Sequence, residues 1–201
     1  MNLFRGEVEV EIGGQKRLLK FGINTLAVFT EKSGKGLEEM AFGITDLRGL
    51  IWAALYTGAR KQGTEFEADE WTVGEWLDDI DEEQFNLIMR TITESMPEPD
   101  GKKKEGTVKW KDLIELGIRD CGLHPRDFWD LTLRELALII EGRNADRMLF
   151  WDVARTLGVW ILSPHTKKRL KPKDLIRFPS EVVRPSTWDE FQQAIERSNG
   201  K

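Results

Sequence analysis

The residues of this 201-residue chain that could do chemistry are two histidines, one cysteine and a few acidic and glycine clusters. His124 and His165 each adjoin a proline, and neither falls in an HExxH or other paired-ligand spacing, so both read as loop residues rather than metal ligands or general bases. Cys121 lies three residues before His124, which brings a thiol and an imidazole to one helix terminus. A nucleophilic pair also needs a third group to orient the base, and none is nearby; the thiol reads as structural and at least half-buried. Asp78, Asp79, Asp81, Glu82 and Glu83 form the densest acidic cluster, but their spacing lacks the glycine bend of an EF-hand loop. Acidic side chains are favoured at helix N-termini by the backbone dipole, so this cluster reads as solvated capping residues. Gly13-Gly14 and Ser33-Gly34-Lys35-Gly36 match neither the phosphate-binding GxxxxGK[ST] pattern nor a dinucleotide fingerprint. Neither an enzyme nor a cofactor or metal site is expected.

Recognition of other proteins is the chemistry left. Eight tryptophans punctuate the chain, mostly at helical positions beside other apolar residues. Core packing is their plain reading; Trp52, Trp71, Trp129 and Trp188 also have the character of interface anchors. The most organised stretch is Cys121 to Gly142, where a turn, a Pro-Arg-Asp-Phe-Trp anchor and a helix follow without a break. Thr132 stands at an N-cap position with Glu135 three residues on, a capping box in which each side chain satisfies the other's backbone N–H. Leu133, Leu136, Ile139 and Ile140 then form one apolar stripe, leaving Arg134, Glu135 and Glu141 in water.

The preceding half must position this stretch. Val8, Val10 and Ile12 alternate with Glu7, Glu9 and Glu11, and Gly13-Gly14 turns the chain into Lys16 to Phe21, which predicts a hairpin with Glu opposite Lys or Arg. A lone hairpin is marginal in water, so its apolar face must rest on helices. These are predicted from Asn24 to Ser33, from a Thr45-Asp46 cap through Leu55, from Trp71-Thr72 through Leu77, and from about Asp81 to Ser95.

Residues 97 to 107, PEPDGKKKEGT, hold prolines, glycines and charges and no large apolar side chain, the composition of a linker. The charge balance changes sign there: residues 1–97 carry 10 basic and 18 acidic side chains, and the remainder 20 and 17. The expected organisation is therefore an acidic domain over 1–97, a linker over 98–107 and a second domain over 108–201. The fold class is mainly α, an N-terminal β-hairpin packed on a small helical domain and then a second small helical domain. In the second part, Trp110 to Ile118 predict a helix ending at Gly122, and Asn144 to Leu162 another, stopped by Ser163-Pro164. KKRLKPKDLIRFP reads as an extended basic segment, and Ser186 caps a last helix from Trp188 to Arg197.

No apolar run approaches the ~20 residues of a membrane span, and the N-terminus lacks a basic segment followed by an apolar one, so no membrane association is expected. A single cysteine fits a reducing compartment. Outside Lys167, Lys168, Arg169, Lys171 and Lys173 the basic residues are interleaved with carboxylates, which argues against a nucleic-acid groove. Physical reading reaches a soluble, mainly helical, two-part binding protein.

The order Gly122-Leu123, Pro125, Phe128-Trp129, Thr132, Glu135 and Gly142, followed by FWDVARTLGVWILSPHTKKRLKPKDLIRFP, resembles the downstream part of the tail assembly chaperones of long-tailed bacteriophages. The hairpin VEVEIGGQKRLLKFGINTLAVFTEKSG resembles the upstream domain of the same family. The resemblance implies the long form, commonly made by ribosomal frameshifting; Gly101-Lys102-Lys103-Lys104 is compatible with a slippery site and equally with a plain polar linker. It also implies a function: binding and solubilising the tape measure protein in the host cytoplasm, recruiting tail tube subunits, and leaving before the virion is complete. Partner contacts are then expected at Phe128, Trp129, Lys167, Lys168, Arg169, Lys171 and Lys173, with core packing of the aromatics and solvation of the charges as the other reading. Apolar patches of this kind also allow self-association. A structural tail component, such as a tail completion protein, is the nearest rival.

Overall fold

The structure is a computed structural model that describes residues 2–39, 43–97, 109–167 and 169–178. The described residues are mainly α, with one two-stranded antiparallel sheet. They fall into two compact units, residues 1–143 and 144–201.

The first unit is built on the hairpin β1 (Glu7–Ile12) and β2 (Gln15–Lys20). Gly13 and Gly14 take φ angles of 59° and 69°, the left-handed conformation a two-residue turn demands. The register sets Glu7 opposite Lys20 and Glu11 opposite Lys16, as the charge pattern predicts. Val8, Val10 and Ile12 are buried, and the intervening Glu9 and Glu11 are exposed. The buried face rests on α1 (Ile23–Ser33), α2 (Ile44–Gln62), α3 (Glu70–Asp78) and α4 (Glu82–Ser95), where Phe29, Leu50, Ile51, Leu55, Val73 and Ile88 complete the core.

Two helix starts differ from the sequence expectation. The helix α2 starts at Ile44 from a Gly43 cap, and Asp46 lies inside its first turn, where the Lys35 ammonium engages its carboxylate. The helix α3 starts at Glu70, one residue before Trp71, and is capped by Asp69, whose carboxylate accepts from both the N–H and the hydroxyl of Thr72 at 2.8 Å. At Gly58 of α2 a Cβ would stand 1.9 Å from the Leu18 carbonyl oxygen, so the missing side chain lets the helix lie against β2.

The chain resumes with α5 (Trp110–Ile114), a π-helical turn (Glu115–Asp120), α6 (Pro125–Asp130) and α7 (Leu133–Leu162). These elements do not stand apart as a domain beginning at 108. Phe128 and Leu136 share a buried cluster with Ile23 of α1, the Ile23 N–H donates to the Leu131 carbonyl at 2.8 Å, and the Trp110 indole N–H donates to the Thr30 hydroxyl at 3.1 Å. The observed division falls at 143/144, and the predicted linker, 98–107, lies outside the described residues.

The capping box forms as predicted, and α7 then runs for 30 residues without stopping at Gly142. Gly142 keeps a negative φ, and no proline interrupts residues 133–162. A glycine inside a helix costs about 1 kcal/mol relative to alanine, too little to end one flanked by good helix formers.

In the second unit, Arg155 is buried on one face of α7. Its guanidinium lies 3.9 Å from the Phe178 ring centroid, donates to the Ile176 carbonyl at 3.1 Å and pairs with Asp152. The segment expected to be extended contains one turn of helix, α8 (Pro172–Leu175), where the Lys171 N–H donates to Asp174 at 2.9 Å. The predicted helix at Trp188–Arg197 lies outside the described residues.

Candidate partner-binding surfaces

Phe128 is fully buried, so it has no surface to offer a partner. Its ring fills the space above Gly117, where a Cβ would stand 2.5 Å from a ring carbon; the glycine of the π-helical turn makes room for the aromatic anchor. Trp129 projects from the same helical turn and is half-buried. Its ring meets Phe128 edge to face at 5.2 Å and tilts against Trp110 at 6.1 Å. The indole forms a ridge between two clefts of the first unit. One is lined by Asn24, Tyr56, Arg60, Lys61 and Arg126, the other by Gly34, Lys35, Trp110 and Ile114.

The floor of the first cleft is charged. Lys20, buried, donates to the Arg5 carbonyl at 2.7 Å and lies 3.3 Å from Glu7 and 3.8 Å from Asp130; Lys61 reaches the same two carboxylates at 2.7 and 3.4 Å. Burial by itself raises the Glu7 carboxyl, but the Lys61 hydrogen bond and the two ammonium charges outweigh it and hold Glu7 below its ordinary 4.5. For Lys20 burial wins and the ammonium is held below its ordinary 10.5, in spite of Asp130 and Glu7. This network joins the hairpin, α2 and α6, so its role is to fix those elements beneath Trp129.

Lys167, Arg169, Lys171 and Lys173 are exposed in the second unit, and Lys168 lies outside the described residues. They are not brought together with Trp129 in one unit. Of the residues first weighed for chemistry, Cys121 is buried. The His124 Nδ1 accepts from the Arg126 N–H at 3.2 Å as the cap of α6, and His165 is exposed in a 3-10 turn. Among the described residues no group of three His, Cys, Asp or Glu is placed to hold a metal ion, and no helix is long and apolar enough to cross a membrane.

A surface the sequence reading did not single out lies on α7. Leu149, Phe150, Val153, Leu157, Trp160 and Ile161 are each between 48% and 69% exposed. At about 100° per residue they fall within an arc of about 120°, on the side of the helix away from Arg155. Single exposed apolar residues are ordinary; six contiguous ones, two of them aromatic, mark an interaction surface. Their spacing of three and four was present in the sequence, but it does not say which stripe of a helix meets the core.

A family model described as phage tail assembly chaperone protein, TAC, matches residues 108–152. The match takes in α5, the π-helical turn, α6 and α7 as far as Asp152, hence the Phe128–Trp129 anchor, the capping box and the start of the apolar stripe. It supports a role in tail assembly as a chaperone. No curated protein and no solved structure matches the chain.

Proposed function

We propose that this chain, similar over residues 108–152 to phage tail assembly chaperones, binds and solubilises the tape measure protein and recruits tail tube subunits to it, without catalysing a reaction. The observation that carries the proposal is the exposed apolar face of α7, which continues out of the matched segment. A tape measure is long and largely helical, and it presents apolar helical faces until tube subunits enclose it. An exposed helical stripe of about 18 Å, with large side chains at spacings of three and four, takes such a helix side by side. Tube subunits would be engaged at Trp129 and at the basic positions Lys167, Arg169, Lys171 and Lys173. The site of action is the host cytoplasm, with the chaperone gone from the finished virion.

Co-expression with the tape measure and tail tube proteins tests this. The tape measure should become soluble only with the chaperone present and should co-purify with it, and Leu157→Glu with Trp160→Glu should abolish both effects. A tape measure that is soluble alone and never co-purifies would remove the proposal. Recovery of the chain from purified virions would favour a structural tail component.

A further inference from the structure

We infer that, in the free protein, the exposed face of α7 is covered by the same face of a second copy, packed antiparallel about a two-fold axis at the level of Arg155. The order of the stripe carries this. Leu149, Phe150 and Val153 lie six, five and two residues before position 155, and Ile161, Trp160 and Leu157 lie six, five and two residues after it. All six are exposed. An isologous interface requires one patch to be its own complement, so that if residue i meets residue j then j meets i. Two antiparallel copies of this stripe meet that condition throughout: Val153 opposes Leu157 twice at the centre, Phe150 opposes Trp160 twice outside it, and Leu149 opposes Ile161 at the flanks. Residues 150, 153, 157 and 160 follow the three-four alternation of a coiled-coil seam, in which antiparallel helices set one kind of seam position against the other.

Area and charge agree with this occupant. Two aromatic and four aliphatic side chains, each about half exposed or more, give on the order of 1,000 Å² when two copies pair, the lower limit for a specific interface. No charged side chain lies within the six-residue stripe, and Arg155, the ionised group at the level of the axis, is turned away into the unit and engaged with Asp152, Ile176 and Phe178. A dimer of this size is reversible, as is needed if a client helix is to take the place of the second copy. The inference concerns the chain alone and is tested without any phage partner, so its failure leaves the client proposal standing.

Sedimentation equilibrium of the full chain should show a monomer–dimer equilibrium at micromolar concentration. Leu157→Glu should weaken it at least about tenfold while leaving the far-ultraviolet circular dichroism unchanged, since the side chain is exposed. Orientation is read by disulfide trapping. Copies carrying Val153→Cys, mixed with copies carrying Leu157→Cys, should cross-link efficiently under mild oxidation. Val153→Cys alone should not, because antiparallel packing sets its two Cα atoms beyond the ~7 Å a disulfide spans. A monomer at all concentrations, a dimer indifferent to Leu157→Glu, or preferential self-linking of Val153→Cys would each overturn the inference. So would a full chain that is monomeric while a chain ending at Phe178 dimerises, since the C-terminal segment would then be the occupant.

Discussion

The backbone N–H of Ile23 donates to the carbonyl of Leu131 at 2.8 Å, across more than a hundred residues of sequence. One is the first residue of α1, whose early N–H groups have no partner inside the helix, and the other follows the last residue of α6. The bond closes over a buried cluster of Ile23, Phe128 and Leu136. Phe128→Ala should therefore cost about 3–5 kcal/mol and speed amide exchange at Ile23 as well as in α6. Unchanged protection at Ile23 would show that the two segments open independently.

Gly117 and Phe128 form a fitted pair. A methyl group at 117 would overlap the ring and displace it from the cluster, so Gly117→Ala should destabilise by about 1–3 kcal/mol in urea titrations. Near-ultraviolet dichroism should change with it, because Trp129 packs edge to face against the displaced ring.

The capping box makes a smaller prediction. The Glu135 N–H donates to the Thr132 hydroxyl at 3.0 Å, and the Thr132 N–H donates to Glu135 at 2.8 Å. Thr132→Ala should cost about 1 kcal/mol and Thr132→Ser much less, measured by thermal or urea unfolding.

Acid should loosen the network under Trp129. Glu7 has a folded pKa below its ordinary 4.5, so the stability it contributes is fully present above that value and is lost as pH falls through the lower folded value. Urea midpoints for the parent should drop between about pH 5 and pH 3, and Glu7→Gln should be less stable near pH 7 and show a shallower drop. A parent and variant that fall in parallel would assign the acid sensitivity to other carboxylates.

Charge reversal at Lys171 and Lys173 should weaken capture of tail tube subunits, and the loss should shrink as salt is raised, since exposed charges act through screened electrostatics. Capture should also fall with Trp129→Ala if the two surfaces serve one partner.

Much of the fold was legible because it depends on nearest-neighbour chemistry. Alternation in Val8, Val10 and Ile12, the Gly13-Gly14 turn, the Thr132–Glu135 box and the Asp81 start of α4 are all short-range patterns, and each takes the expected form. Whether Gly142 ends a helix was not legible, because a glycine stops a helix only where the backbone can gain by turning, and here both flanks continue as helix.

The side chains of the candidate surfaces divide the same way. The sequence by itself determined that 121–142 holds an aromatic anchor before a capped helix, and that residues 149–161 repeat apolar side chains at spacings of three and four. Only the tertiary structure decided that Phe128 belongs to the core, that Trp129 stands on a ridge between two clefts, and that the α7 stripe faces solvent. An amphipathic period shows that a helix has an apolar face; which surface covers that face depends on contacts between residues far apart in the chain, such as Ile23 with Leu131 and Arg155 with Phe178.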